Sequence, residues 1–165
     1  MSVDKNQAVI EYLLQCQDIY NSPLYFNLID AKNNTIQILT TAEDKFLSRP
    51  YIDGSVMKRY TFNIITFKSI SDAEIVKFQS TSEQYTSENV DELKDVQTLL
   101  DWISEQQDLR NYPNFGEDCD IDDIYTTTDT PRFDGINTAL TPPLAMYSIS
   151  VVIEYIDKSK MIYNK

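Results

Sequence analysis

Carboxylates crowd one short stretch of this 165-residue chain: Glu117, Asp118, Asp120, Asp122 and Asp123, with Asp129 a little further on. Asp118, Asp120 and Asp122 alternate like the oxygen ligands at the first, third and fifth positions of a calcium loop, where they converge on a hard cation. Such a loop needs a glycine at its sixth position for the sharp turn and a bidentate glutamate at its twelfth. Here those positions are Asp123 and Asp129. The run is therefore expected to be a solvated acidic loop that holds no metal. Paired carboxylates can also do glycosidase-type work when one is kept protonated and the other ionised, but nothing singles out a pair among 26 acidic residues.

Other chemistries lack their parts. Histidine is absent altogether, which removes the usual general base at neutral pH, the Ser-His and Cys-His pairs, and the commonest transition-metal ligand. With only three glycines, a phosphate-cradling loop has little to be built from, and neither GxGxxG nor the Walker pattern occurs. Of the two cysteines, Cys16 reads as a small core residue on a helix, and Cys119 sits in the acidic run with no partner at metal-ligand spacing. No catalytic residue, cofactor site or metal site is expected. Lys58 and Arg59 beside Tyr60 have the types for a phosphate contact, but at the start of a strand such residues more often serve an edge or a subunit contact.

A formal charge of −12 argues against gripping a nucleic-acid backbone, because that binding rests on Lys and Arg displacing counterions. An acidic surface would instead suit a conduit through which DNA slides. No signal-peptide pattern opens the sequence and no apolar run approaches the roughly 20 residues of a membrane helix. A reducing cytoplasm and no membrane association are the expectation.

The element that must position these residues is the stretch 51–70, YIDGSVMKRYTFNIITFKSI. An Asp53-Gly54 turn signal precedes a run of β-branched and aromatic residues, which predicts a long central strand. Tyr60, Phe62 and Ile64 share one face, and Ile65 and Phe67 share the other with Thr61 and Asn63. That asymmetry predicts helices on the first face and a wetter or partner-facing surface, entered beside Lys58 and Arg59, on the second.

Around it, a first helix is expected from an Asp4 cap with Gln7 three residues on, running through Val9, Tyr12, Leu13, Cys16 and Ile19 until Pro23 stops it. Residues 24–29 and 35–39, separated by the polar 30–34, suit a hairpin. Residues 40–50 read as a loop, 71–77 as either strand or a helical turn, and 79–89 as an exposed polar loop. Asn89, with Glu92, caps a second helix whose stripe is Leu93, Val96, Leu99, Leu100 and Ile103, flanked by Trp102 and ending at 108–111. A turn-rich acidic link then leads to a β-prone segment at 121–128. Residues 129–143 look like a second polar loop, and a closing strand puts Tyr147, Ile149, Val151, Ile153 and Tyr155 on one face. A tail, 157–165, frays or docks on a partner. The order predicts a single α+β domain, 1–165, with one antiparallel or mixed sheet and two main helices packed on one face. Aromatic residues make up 12% and include 11 tyrosines, a residue suited to interfaces that are packed on one side and wet on the other.

YIDGS followed by MKRYTFNI resembles the Y-x-D-G-S … Y-x-F strand entry of the tail-terminator (tail-completion, minor capsid) proteins of long-tailed phages and of phage-tail-like particles from Gram-positive bacteria. LLDWISEQQDLRNYPNFGEDCDIDDI is similar to that family's tryptophan-bearing helix and following strand, and YSISVVIEY to its closing strand. The resemblance spans most of residues 4–155. It implies a non-enzymatic virion or particle protein, assembled in the bacterial cytoplasm, that forms a homohexameric ring on the last tube ring and stops tail polymerisation. The implied partners are the tail tube protein and a sheath, collar or head connector, with DNA only as passing cargo. Asp53, Gly54, Ser55, Lys58, Arg59 and Tyr60 are the expected subunit-interface residues. The alternative is a small acidic cytoplasmic adaptor that meets a basic partner.

Overall fold

The structure, a computed structural model, describes residues 3–16, 24–26, 36–40, 51–69, 94–137, 139 and 143–161. Among these residues the chain forms two helices and one sheet: α1 (Lys5–Leu13), β1 (Leu24–Phe26), β2 (Ile36–Thr40), β3 (Val56–Ser69), α2 (Lys94–Leu109), β4 (Cys119–Thr126), β5 (Arg132–Asn137) and β6 (Leu144–Asp157). The fold is α+β. Several expectations lie outside the described residues: positions 17–23 of the expected first helix and its Pro23 stop, the loops at 30–34, 41–50 and 79–89, the segment 71–77, the Asn89 cap with Glu92, Leu93, and 162–165 of the tail.

β3 and β6 form the spine, antiparallel along the full 14 residues of each, from Val56 opposite Asp157 to Ser69 opposite Leu144. Their length follows from their composition, because β-branched and aromatic residues favour a half-buried pleated surface. β2 lies antiparallel beside β3. On the far side of β6 two strands share one edge: β4 runs along the part from Val151 to Asp157, and β5 along the part from Leu144 to Ser148. The Thr127 N–H still donates to the Ser150 carbonyl at 3.0 Å before the chain leaves the ladder and returns as β5.

Two expectations are corrected here. The segments at 24–26 and 36–40 pair parallel, with Leu24 opposite Ile36 and Phe26 opposite Ile38, so they are not a hairpin; a parallel pair requires the chain to travel back before the second strand begins. The stretch 129–143 is not wholly loop, because β5 occupies its middle. Its sequence, RFDGIN, carries weak strand propensity, and the ladder with β6 decides the outcome, with a register shift between Phe133 and Gly135.

The core lies on the helix face of the sheet. Val9, Tyr12 and Leu13 of α1 and Val96, Leu99, Leu100 and Ile103 of α2 close over Tyr60, Phe62 and Ile64 of β3 and Ile149, Val151, Ile153 and Tyr155 of β6. Each strand contributes its alternate residues, as the period of two requires. Cys16 is buried in the same cluster. On the opposite face Ile65, Phe67 and Leu144 form a second cluster with Leu39 and Met146 against it, so that face is dry at one end. Towards its other end it is polar: Ser150 donates to Asn63 at 2.7 Å.

α1 starts where its cap places it. Asp4 Oδ1 accepts from the N–H groups of Asn6 (2.9 Å) and Gln7 (3.4 Å), filling the helix's first orphan donors. Gln7 does not complete the capping box; its Nε2 donates to Glu11 instead. The helix ends at Leu13, short of the expected run through Cys16, because the N–H groups of Gln15 and Cys16 reach the carbonyls of Tyr12 and Leu13 in tighter turns.

Candidate functional site

The motif Tyr51-Ile52-Asp53-Gly54-Ser55 folds as a closed turn at the entry to β3. The Gly54 N–H donates to the Tyr51 carbonyl at 3.0 Å, and the Tyr51 N–H to the Ser55 carbonyl at 2.8 Å. Gly54 sits at φ 88°, in the left-handed region that glycine enters without steric cost. One oxygen of Asp53 takes both the Ser55 hydroxyl (2.6 Å) and the Ser55 N–H (2.9 Å). The hydroxyl, helped by the N–H, holds the Asp53 carboxyl below its usual range, so the clamp is made by the carboxylate. Ser55 is buried, whereas Ile52 is fully exposed and Tyr51 nearly half exposed. The turn is thus internally braced and presents two apolar side chains outward.

The strand entry beyond the turn is occupied from within the chain. Lys58 Nζ lies 2.7 Å from Asp157, and Arg59 Nη2 lies 2.9 Å from Glu154, which also accepts from the Tyr125 hydroxyl at 3.0 Å. Burial, then the bond to Glu154, raises the Tyr125 phenol above its ordinary value. Lys58 and Arg59 do not share a face, which corrects the expectation that both stand at the entry to the wetter side. Successive strand residues point oppositely: Lys58 pairs on the helix side with Asp157, and Arg59 on the other with Glu154. Tyr60 belongs to the core; its hydroxyl meets Asn6 and its ring packs edge-on against Phe115, 5.8 Å between centroids.

At the same end of the sheet a groove of about 500 Å³ opens between the start of α1, the turn before β4 and the end of β6, lined by Val3, Lys5, Phe115, Gly116, Cys119 and Asp157 among others. Phe115 forms its apolar side, edge-on to Tyr155 at 5.3 Å, and Lys5 Nζ stands 5.2 Å from the centre of the Tyr155 ring. Burial, followed by the Asp157 charge, pushes the Cys119 thiol up. It therefore remains a thiol near neutral pH and a poor nucleophile.

The acidic run does not converge. From Cys119 onward it is strand rather than loop, and its carboxylates take separate partners: Asp120 meets Lys158 at 2.9 Å, Asp123 accepts from Gln107 at 3.1 Å and from the Ile124 N–H, and Asp122 is exposed. A register shift between Ile121 and Asp123 breaks the alternation. Among the described residues no group of three or more His, Cys, Asp or Glu is placed to hold a metal ion, and no helix is long and apolar enough to cross a membrane.

No protein-family model matches the chain, and a search of curated proteins finds no match.

The turn was readable from Asp-Gly-Ser, whereas the Asp53–Ser55 clamp was not singled out. The groove was not readable, because its walls come from three distant segments, and Phe115 reads in sequence as one residue of a turn-rich link.

Proposed function

We propose that this chain is a structural, non-enzymatic subunit that assembles as a ring on the head-proximal end of a tail tube. There it stops polymerisation and joins a connector, collar or sheath. The observation that carries the reading is the braced turn at 51–55 feeding the longest strand pair, at the place where the sequence resembles the tail-terminator family. A turn whose only carboxylate is held internally by Ser55 and whose outward residues are Tyr51 and Ile52 fits a subunit contact in a chain of charge −12, since copies that repel at long range must meet through uncharged surface. Six copies and passing DNA follow from the resemblance, and a closed cyclic arrangement accounts for a capping action.

Mass photometry of the chain alone and mixed with tail tubes tests this. Ring-sized particles or tubes capped at one end are expected; a monomer at every concentration in both arms overturns it. The exposed Asp122 and the Asp120–Lys158 pair on the edge strand β4 favour a second reading, an adaptor for a basic partner. A pull-down that recovers a basic protein and no tail component decides for the adaptor.

A further inference from the structure

We propose that Asp134–Gly135 is the bond at which this chain forms isoaspartate spontaneously, and that Ser55 holds the other such pair, Asp53–Gly54, against the same reaction. Aspartate followed by glycine occurs at these two places in the sequence, and a glycine, having no Cβ, leaves its peptide nitrogen open to close approach. The reaction needs no partner and no oxidant. The Gly135 nitrogen bonds to Cγ of the protonated Asp134 carboxyl, and the carboxyl hydroxyl leaves as water with the amide proton. One water then opens the five-membered imide. Cleavage between Cγ and nitrogen returns aspartate. Cleavage between nitrogen and the Asp134 main-chain carbonyl carbon routes the backbone through Cγ instead, with no net change in mass.

The two pairs differ in how carboxyl and nitrogen are held. At Asp53 one oxygen takes the Ser55 hydroxyl at 2.6 Å and the Ser55 N–H at 2.9 Å, and Ser55 is itself buried. The reaction draws Cγ onto the Gly54 nitrogen and needs the protonated acid. These charge-assisted bonds resist both, since they keep the oxygen on Ser55 and favour the ionised form. The Gly54 N–H is engaged as well, donating to the Tyr51 carbonyl at 3.0 Å. Asp134 is held less firmly. It meets Arg132, Nε to Oδ1 at 2.7 Å, but the Arg132 side chain is 65% exposed, and a solvated pair of this kind restrains little. The register shift between Phe133 and Gly135 leaves Asp134 with no opposite residue on β6, the position that a bulge removes from the ladder. Gly135 follows at φ 126°, and no described atom outside its chain neighbours lies within 4 Å of where a Cβ would stand. An imide ring therefore has room there.

The test is ageing of the folded chain in warm, mildly acidic buffer, followed by proteolysis and electron-transfer fragmentation, which separates isoaspartate from aspartate of equal mass. In the wild-type chain isoaspartate should build up at Asp134 at least about tenfold faster than at Asp53, the effect expected of hydrogen bonds to a charged group. In a urea-unfolded sample the two rates should agree within about twofold, because the clamp is gone. Ser55→Ala, with an unchanged circular dichroism spectrum, should raise the Asp53 rate about tenfold and leave the Asp134 rate as it was, and Ser55→Thr, which keeps the hydroxyl, should restore protection. Should Ser55→Ala fail to fold, the folded-to-unfolded rate ratio of each wild-type peptide decides, and protection at Asp53 alone upholds the proposal. Equal rates in the folded wild-type chain, a faster rate at Asp53, no reaction at Asp134, or a folded Ser55→Ala chain as protected as wild type overturns it. Every arm uses the chain alone, so the result is independent of the ring reading.

Discussion

Lys58 and Asp157 meet diagonally across the β3–β6 ladder, Nζ to Oδ2 at 2.7 Å, with Lys58 two pairs in from the Val56–Asp157 end of the sheet. Burial acts to raise the Asp157 pKa, but hydrogen bonds from Lys58 and Ser159 outweigh it and bring it down to about 2. A carboxyl depressed in the folded state stabilises above its unfolded pKa and loses that contribution as pH falls through the folded value. Asp157→Asn should therefore cost at most about 1 kcal/mol near neutral pH, because the pair is partly solvated. The difference from wild type should shrink as pH drops from about 4 towards about 2. Urea denaturation of both proteins across that range checks it. The same geometry makes Lys58→Glu with Arg59→Glu a poor probe of assembly, since it sets like charges against Asp157 and Glu154 and weakens the fold itself.

Tyr12 is buried against Trp102, ring centroids 5.1 Å apart, and its hydroxyl has no hydrogen-bond partner among the described residues. Burial, with Tyr112 nearby, raises its pKa well above the ordinary phenol value. A buried donor without an acceptor costs stability, and removing it while keeping the ring should return some of that cost. Tyr12→Phe is expected to gain about 1 kcal/mol, seen as a higher urea midpoint with an unchanged slope. Tyr12→Ala should lose about 3–5 kcal/mol through the cavity it leaves.

How far these features can be read from sequence depends on the range of the interaction that fixes them. The alternation in β3 and β6, the Val96-Leu99-Leu100-Ile103 stripe of α2, the Asp4 cap and the Asp53-Gly54-Ser55 turn are set by neighbours a few residues away, and each is legible. The parallel pairing of β1 with β2 is not, because strand composition carries no direction. β5 is hidden because its residues are poor strand formers held by a ladder to Leu144–Ser148, and the groove because Lys5, Phe115 and Asp157 meet only in the fold. The opposed faces of Lys58 and Arg59, by contrast, follow from strand period alone.

Gly54 makes a separable prediction about the turn. At φ 88° a Cβ is strained, so Gly54→Ala should destabilise by about 1–2 kcal/mol, whereas Gly54→Asn should cost less because asparagine visits this region more readily. If the turn aims the Tyr51–Ile52 tip, assembly on tail tubes should weaken in the same order, alanine more than asparagine. Denaturation midpoints and mass photometry on the three proteins provide the comparison, and assembly that ignores the order would separate the turn from the contact.

Arg110 closes α2 in a conformation its side chain does not favour. The Asn111 N–H donates to the Gln106 carbonyl at 3.0 Å and the Arg110 N–H to that of Gln107 at 3.1 Å, the paired bonds of a Schellman ending. That ending places Arg110 at φ 53°, where a Cβ crowds the following carbonyl and costs roughly 1–2 kcal/mol. Glycine removes the clash, although it also adds freedom to the unfolded chain. The exposed Arg110 side chain is expected to contribute little packing. Arg110→Gly should therefore stabilise by about 0.5–1 kcal/mol, the balance of those two effects. The gain should appear as a rise in urea midpoint with α2's amide protons exchanging more slowly at its C-terminal turn, and a fall in midpoint would mean that the arginine side chain holds the helix end after all.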